Sequence, residues 1–244
     1  MTDQSALFVG GESLTIQCAG LWLDAGHSIT AVVTRNPDVA RWAEGRGLRV
    51  EDALAGLARS GALPVYDWLF SVANLAVLPE AVLSAAREGA VNFHDGPLPR
   101  HAGLNAPVWA LLEGETRHGI AWHRIESGID EGAIIASRDF EIADADTALT
   151  LNTRCFEAAI DSFGELVAAI SAGTLEPREQ DLSRRTWHGR DDRPAAAARI
   201  DFSQSGADVA RRVRALDHGG YWNPLAVPKI AAGEIHFAIG YSEP

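Results

Sequence analysis

Ala6-Leu7-Phe8-Val9-Gly10-Gly11 is the stretch on which the fold turns. Its apolar residues read as a strand buried on both faces, and the paired glycines bring the chain sharply into a helix from Ser13 to Asp24. The alternation continues outward. Ser28 to Thr34, rich in β-branched side chains, reads as a second strand, and Asn36-Pro37-Asp38 opens a helix through Glu44. A short strand near Leu48 to Val50 and a helix from Asp52 to Arg59 follow; Asp67 to Val72 is again a strand, and Pro79 starts a helix that reaches Arg87. This order predicts an α/β fold, a Rossmann-like, mostly parallel sheet with helices on both faces. The Gly10-Gly11 turn is not G-x-G-x-x-G, because the next glycine is Gly20. No acidic residue closes the second strand where a ribose would sit, so tight chain reversal is the better account.

The next strand, Ala90 to Phe93, runs into His94-Asp95-Gly96-Pro97-Leu98-Pro99-Arg100. Alternate residues of a strand share a face, so Asn92 and His94 emerge side by side at its end. In an open α/β sheet that end borders the crevice where ligands bind. Beyond it the pattern changes. Asn105 to Glu113 is helical, with Pro107 in its first turn and Gly114 past its end. Arg117 to Glu126 and Ala133 to Glu141 are β-rich and joined by Ser127-Gly128-Ile129-Asp130-Glu131-Gly132. A long amphipathic helix spans about Asp146 to Ala172, with Phe156, Ile160, Phe163, Val167 and Ile170 at helical spacing and Gly173 as its stop.

These elements divide the chain into a catalytic domain over 1–176, a polar linker over 177–194 and a small C-terminal subdomain over 195–244. The last holds a helix from Ser205 to Leu216, the loop His218 to Pro224, and two short strands around Ala232-Gly233. Two strands cannot bury a core alone, so they pack on the main domain or belong to a longer chain. Tyr221 and Trp222, just before Asn223-Pro224, read either as local packing or as a cover for an acyl group.

Acidic residues outnumber basic ones by 33 to 21, for a net charge of −12, which argues against a broad electrostatic hold on nucleic acid. Cys18 and Cys155 are far apart, lie in apolar helical stretches and read as buried inert thiols. No basic leader and no apolar run of membrane-spanning length occurs, so the expected setting is the cytoplasm, away from membranes. His101, His118 and His123 invite a metal reading, but His118 and His123 differ by an odd number within a β run and point to opposite faces. With no H-E-x-x-H and no paired cysteines, no metal is expected.

Taken one at a time, Asn92-x-His94 and Asp130 are ordinary. Together with Leu98-Pro99-Arg100, Gly103, Ala106-Pro107 and Gly128-Ile129-Asp130-Glu131-Gly132, they resemble the signature of formyltetrahydrofolate-dependent formyltransferases. The step of 36 residues from His94 to Asp130 suits that family. Arg211-Arg212-Val213-Arg214-Ala215 is a fainter echo of methionyl-tRNA formyltransferase. Within the family, His94-Asp95-Gly96-Pro97-Leu98-Pro99 and Gly103-Leu104-Asn105-Ala106-Pro107 are most similar to formylation domains of nonribosomal peptide synthetases. The resemblance implies 10-formyltetrahydrofolate as formyl donor, and an aminoacyl-phosphopantetheine on a peptidyl carrier domain as acceptor, with an adenylation domain adjacent. It implies catalytic roles for Asn92, His94 and Asp130, and folate contacts by Ala76, Val77, Leu78, Gly96, Pro97, Leu98, Pro99, Glu126, Ser127, Gly128 and Ile129. An amide such as Asn92 can donate to a developing oxyanion. His94 can bond the same oxygen or take the amine proton, and Asp130 can orient the ring or accept that proton through water. A sugar-nucleotide amine as acceptor, hydrolysis to formate, and a non-catalytic carrier-docking module are the rival readings.

Overall fold

The computed structural model describes residues 3–58, 63–233 and 235–239. In chain order its strands and helices are β1 Ser5–Gly10, α1 Ser13–Asp24, β2 Ser28–Val33, α2 Pro37–Glu44, β3 Val50–Glu51, β4 Tyr66–Val72, α3 Glu80–Leu83, β5 Ala86–His94, β6 Ala102–Gly103, α4 Ala106–Glu113, β7 Arg117–Arg124, β8 Ile134–Glu141, α5 Ala148–Ala172, β9 Trp187–His188, α6 Gly206–Ala215, β10 Lys229–Ala232 and β11 Ile235–Ala238. The main sheet has the order β3-β2-β1-β4-β5-β7-β8. Its first five strands are parallel, while β7 and β8 are antiparallel to their neighbours. This is the α/β, mostly parallel sheet that the alternation predicts.

The two faces are covered unequally. Phe8, Phe70, Val91 and Phe93 turn to α1, α2 and α5, meeting Trp22, Val39, Phe163 and Val167 in the largest core. Phe70 and Phe163 rings lie 5.1 Å apart, edge to face. The other face, with Leu7, Val9, Leu69 and Ala90, is closed by α3, a 3-10 turn at Leu54–Ala58 and loops. Apolar residues at helical spacing hold α5: Phe163, Val167 and Ile170 are buried, whereas Phe156 and Ile160 are partly buried. Thr147 caps α5 through Thr150, and Gly173 ends it with φ 68°.

Some boundaries differ from the sequence reading. The helix expected from Pro79 to Arg87 is one turn, because Ala86 and Gly89 to Asn92 pair with β4 and carry β5 back to Ala86. Pairing along a central strand overrides the helix propensity of that stretch. The helix expected over Asp52 to Arg59 is a 3-10 turn to Ala58, and Arg59 lies outside the described residues. So does the end of the chain at 240–244, whereas β10 and β11 form a hairpin. Within 177–194, where a linker is expected, β9 pairs with β6, and Arg178 exchanges backbone hydrogen bonds with Ile134. Ala198, Leu216 and Leu225 of 195–244 share a core with Val108 of α4 and Ala148 of α5. Among the described residues no helix is long and apolar enough to cross a membrane. Cys18 and Cys155 are buried and free, and burial pushes both thiols up.

Candidate active site

Asn92 and His94 share the face of β5 that carries Ala90, opposite Val91 and Phe93. That face has no long helix over it, and three loops converge there instead. The first follows β5, the second joins β7 to β8, and the third is the segment leading to β9.

His94 is buried, and its Nε2–H donates to the His101 carbonyl at 2.8 Å. The remaining ring nitrogen, Nδ1, stands 3.7 Å from Asp130 Oδ2. Asp130 adopts φ 57°, a left-handed conformation that aspartate tolerates better than most side chains. Gln180 holds the loop from outside, donating to the carbonyls of Asp130 and Gly132 at 2.9 and 2.7 Å. Gly103 N–H donates to Asp130 Oδ2 at 2.8 Å. No other residue fits at position 103: φ is 97°, and a Cβ would lie 2.2 Å from the His188 carbonyl oxygen. Burial would raise the Asp130 carboxyl. The adjacent His123 ring, the His94 charge and the Gly103 N–H outweigh it and hold the group down to about 2. Asp130 is therefore an anion at neutral pH.

His123 is the residue that sequence reasoning missed as part of this cluster. The β5–β7 pairing sets it opposite Asn92, and its Nε2 lies 3.2 Å from Asn92 Nδ2 and 3.4 Å from Asp130 Oδ1. Its Nδ1–H donates to the Arg124 carbonyl at 2.8 Å. In the neutral ring Nε2 thus accepts one N–H of Asn92, leaving the second amide N–H for a ligand. As its odd spacing from His123 predicts, His118 lies on the opposite, α5 face, against Phe140, and donates from Nε2 to the Asp95 carbonyl at 2.8 Å. Only the strand pairing identifies His123's partner.

The loop residues implied as cofactor contacts divide into two kinds. Val77 and Ile129 are exposed apolar side chains, 83% and 55% accessible, as is their neighbour Leu75. Ala76, Glu126 and Ser127 are also exposed, while Gly128 is half-buried. Leu78 and Leu98 are buried, the first in the core under β4 and β5, the second against Ala102, Ala121 and Ile134. Those two can offer backbone groups only. Gly96 sits under the imidazole, where a Cβ would lie 2.8 Å from His94 Nε2; Pro97 and Pro99 are half-buried on the same loop. Leu78 shares its core with Ile125, so the loops at 73–79 and 126–132 spring from one layer.

A carboxamide, an imidazole and an ionised carboxylate thus meet at the end of a sheet strand. Such an arrangement can serve acyl-group transfer, with a donor available to an oxyanion beside a base that a carboxylate supports. The sequence profile of the family described as "Formyl transferase" matches residues 50–166. Methionyl-tRNA formyltransferase of Thiobacillus denitrificans is 31% identical over 242 residues, covering 90% of this chain and 75% of that one. The chain belongs to the formyl transferase family and is an enzyme of that class. Among solved structures, an N-formyltransferase from Helicobacter canadensis, in complex with folinic acid and dTDP-3-aminofucose, superposes with TM-score 0.72 at 19% identity, covering 88% of this chain and 80% of that one. A sugar N-formyltransferase from a Shewanella species gives 0.74 at 18%, covering 99% and 98%. These two likenesses are likenesses of fold.

Proposed function

We propose that the chain transfers the formyl group of 10-formyltetrahydrofolate to an amine, and that the amine belongs to an aminoacyl unit on the phosphopantetheine arm of a peptidyl carrier domain. The observation that carries the formyl transfer is the meeting of Asn92, His94 and Asp130 in one polar cluster. The family match and the folinic acid bound by the Helicobacter relative support a folate donor. So do the exposed apolar side chains of Leu75, Val77 and Ile129 beside the site, which suit a flat heterocycle.

In this reading the free N–H of Asn92 donates to the formyl oxygen as it turns anionic. Losing such a donor raises the barrier by roughly 3 kcal/mol. The attacking amine gives up a proton as its bond to the formyl carbon forms. His94 Nδ1, unprotonated because Nε2 holds the proton bonded to His101, receives it, and the Asp130 carboxylate stabilises the resulting cation. The same proton returns to the departing nitrogen as its bond to the formyl carbon breaks, so the pair ends as it began. His123 positions Asn92.

For the acceptor, the charge of −12 opposes transfer RNA, and the motif from His94 to Pro107 resembles that of carrier-linked formylation domains. Phe202, Tyr221 and Trp222 are 70%, 75% and 82% exposed, so local packing does not account for them, and they suit a docked protein partner. The reading includes an adjacent adenylation domain, a cytoplasmic setting, and no nucleic-acid or membrane partner. A second reading, a sugar-nucleotide amine, is favoured by the likeness to the Shewanella sugar N-formyltransferase over 99% of the chain. Parallel assays with an aminoacyl-loaded carrier domain, a dTDP-amino sugar and methionyl-tRNA decide the acceptor. Formylation of the carrier-bound amine at the highest kcat/KM supports the proposal; preference for either other acceptor overturns it. Formate release without any amine would mark a hydrolase instead.

A further inference from the structure

Behind the catalytic loop lies a second cluster that the formyl transfer does not use. His101 and His188, 87 positions apart, are brought together by the β6–β9 pairing. His101 Nδ1 and His188 Nε2 are 3.0 Å apart, and Glu113 Oε1 is 4.0 Å from that His188 nitrogen. All three potential ligand atoms lie within 4.8 Å of one another. Around a tetrahedral zinc, ligands at 2.0–2.1 Å stand about 3.3 Å apart, so the two nitrogens, here hydrogen-bonded to each other, would exchange that bond for the cation with a small separation of the rings. Glu113 is exposed, so its side chain has room to swing inward toward the two imidazoles.

Three surrounding features favour a cation here. Glu115 Oε1 lies 3.1 Å from His101 Nε2, a buried nitrogen without a hydrogen-bond partner among the described residues, so a carboxylate stands behind the ring whose Nδ1 faces the site. A carboxylate behind a ligating imidazole is the usual support of a metal-bound histidine. Arg100 pairs with Glu115 in turn. His188 is stacked on Trp109, 4.6 Å between ring centres and 5° from parallel, which fixes the plane of the second imidazole. Glu113 is the last residue of α4, where the helix dipole disfavours a carboxylate unless a cation sits beside it.

We propose that His101 Nδ1, His188 Nε2 and Glu113 form a site for a divalent cation of the zinc class, with water as the fourth ligand. On binding, the His188 ring carries its proton on Nδ1, so Nε2 can ligate. The cation would tie β6, β9 and the end of α4 together. Because the His101 carbonyl accepts the His94 Nε2 proton, occupancy would stiffen the loop that aims the catalytic imidazole. The site is separate from the reaction, since none of its ligand atoms touches Asn92, Asp130 or His94 Nδ1.

Cobalt(II), titrated alone into the untagged full chain, tests this by calorimetry and visible absorption. The expected result is one equivalent bound with the intense spectrum of tetrahedral cobalt, displaced by zinc. His188→Phe, which keeps an aromatic ring on Trp109, should remove that binding. Glu113→Gln, at an exposed position, should weaken it by at least about tenfold. Zinc should raise the melting temperature of the wild-type chain and leave that of His188→Phe unchanged. Absence of cobalt binding, or equal affinity in Glu113→Gln and wild type, overturns the proposal. Should His188→Phe not fold, Glu113→Gln decides alone.

Discussion

The two faces of β5 differ in every respect that matters. Val91 and Phe93 meet Trp122, Phe156 and Phe163 across a continuous apolar layer under α5. On the reverse face, Asn92 and His94 meet His123, Asp130 and the His101 carbonyl in a network of directed polar contacts. The apolar face is held by area and tolerates exchange of shape. The polar face is held by geometry, with each group fixed by a neighbour that comes from a distant part of the chain. Stability and activity should therefore respond to different substitutions.

The largest separation is expected at His94. His94→Ala should lower formyl transfer by about 10²–10⁴-fold while the thermal midpoint stays near wild type. A collapse of the fold in that variant, seen by circular dichroism, would erase the contrast. Phe163→Ala should do the reverse: a loss of about 3–5 kcal/mol in urea unfolding, with kcat of the folded fraction unchanged. Next comes pH. Burial first, with the neighbouring His94 and Arg100 charges, brings His118 from 6.5 down to about 4. Between those values the unfolded chain binds more protons than the folded one. Stability is thus full above pH 6.5 and falls as pH drops through the window, by about 3 kcal/mol from this group. His118→Gln should flatten that slope in unfolding curves taken from pH 7 to pH 4; an unchanged slope would refute the assignment. The smallest effect is expected far from the site. Asn36 caps α2, accepting from Asp38 N–H at 2.8 Å and donating to the Gly11 carbonyl. Asn36→Ala should cost about 1 kcal/mol of stability, read from the urea midpoint, and leave turnover alone.

The same contrast explains what could be read from the chain. The apolar face announces itself by period: Phe163, Val167 and Ile170 recur at helical spacing, and Leu7 to Val9 with Ser28 to Val33 mark buried strands. Asn92 and His94 were legible because strand alternation is local, and Asp130 because its turn belongs to a family signature. The partners were not. His123 reaches Asn92 only through the antiparallel β5–β7 pairing, and Gln180 grips the Asp130 turn from a stretch whose composition suggests only a linker. β9 is two residues long, too short to leave a periodic signal, yet it brings His188 to His101. The helix expected through Arg87 failed for a related reason, since pairing with β4 decides that segment. Local pattern identifies which residues bear chemistry, and non-local pairing decides which of them meet.

In the proposed reaction the polar face of β5 moves a formyl group onto an amine. Single-turnover mass spectrometry with 10-formyltetrahydrofolate and the aminoacyl-loaded carrier domain tests it directly, comparing wild type with Asn92→Ala. One formamide should form per tetrahydrofolate released, at a rate about a hundredfold or more lower in the variant. Equal rates in the two proteins, or tetrahydrofolate released with formate and no formamide, would contradict it.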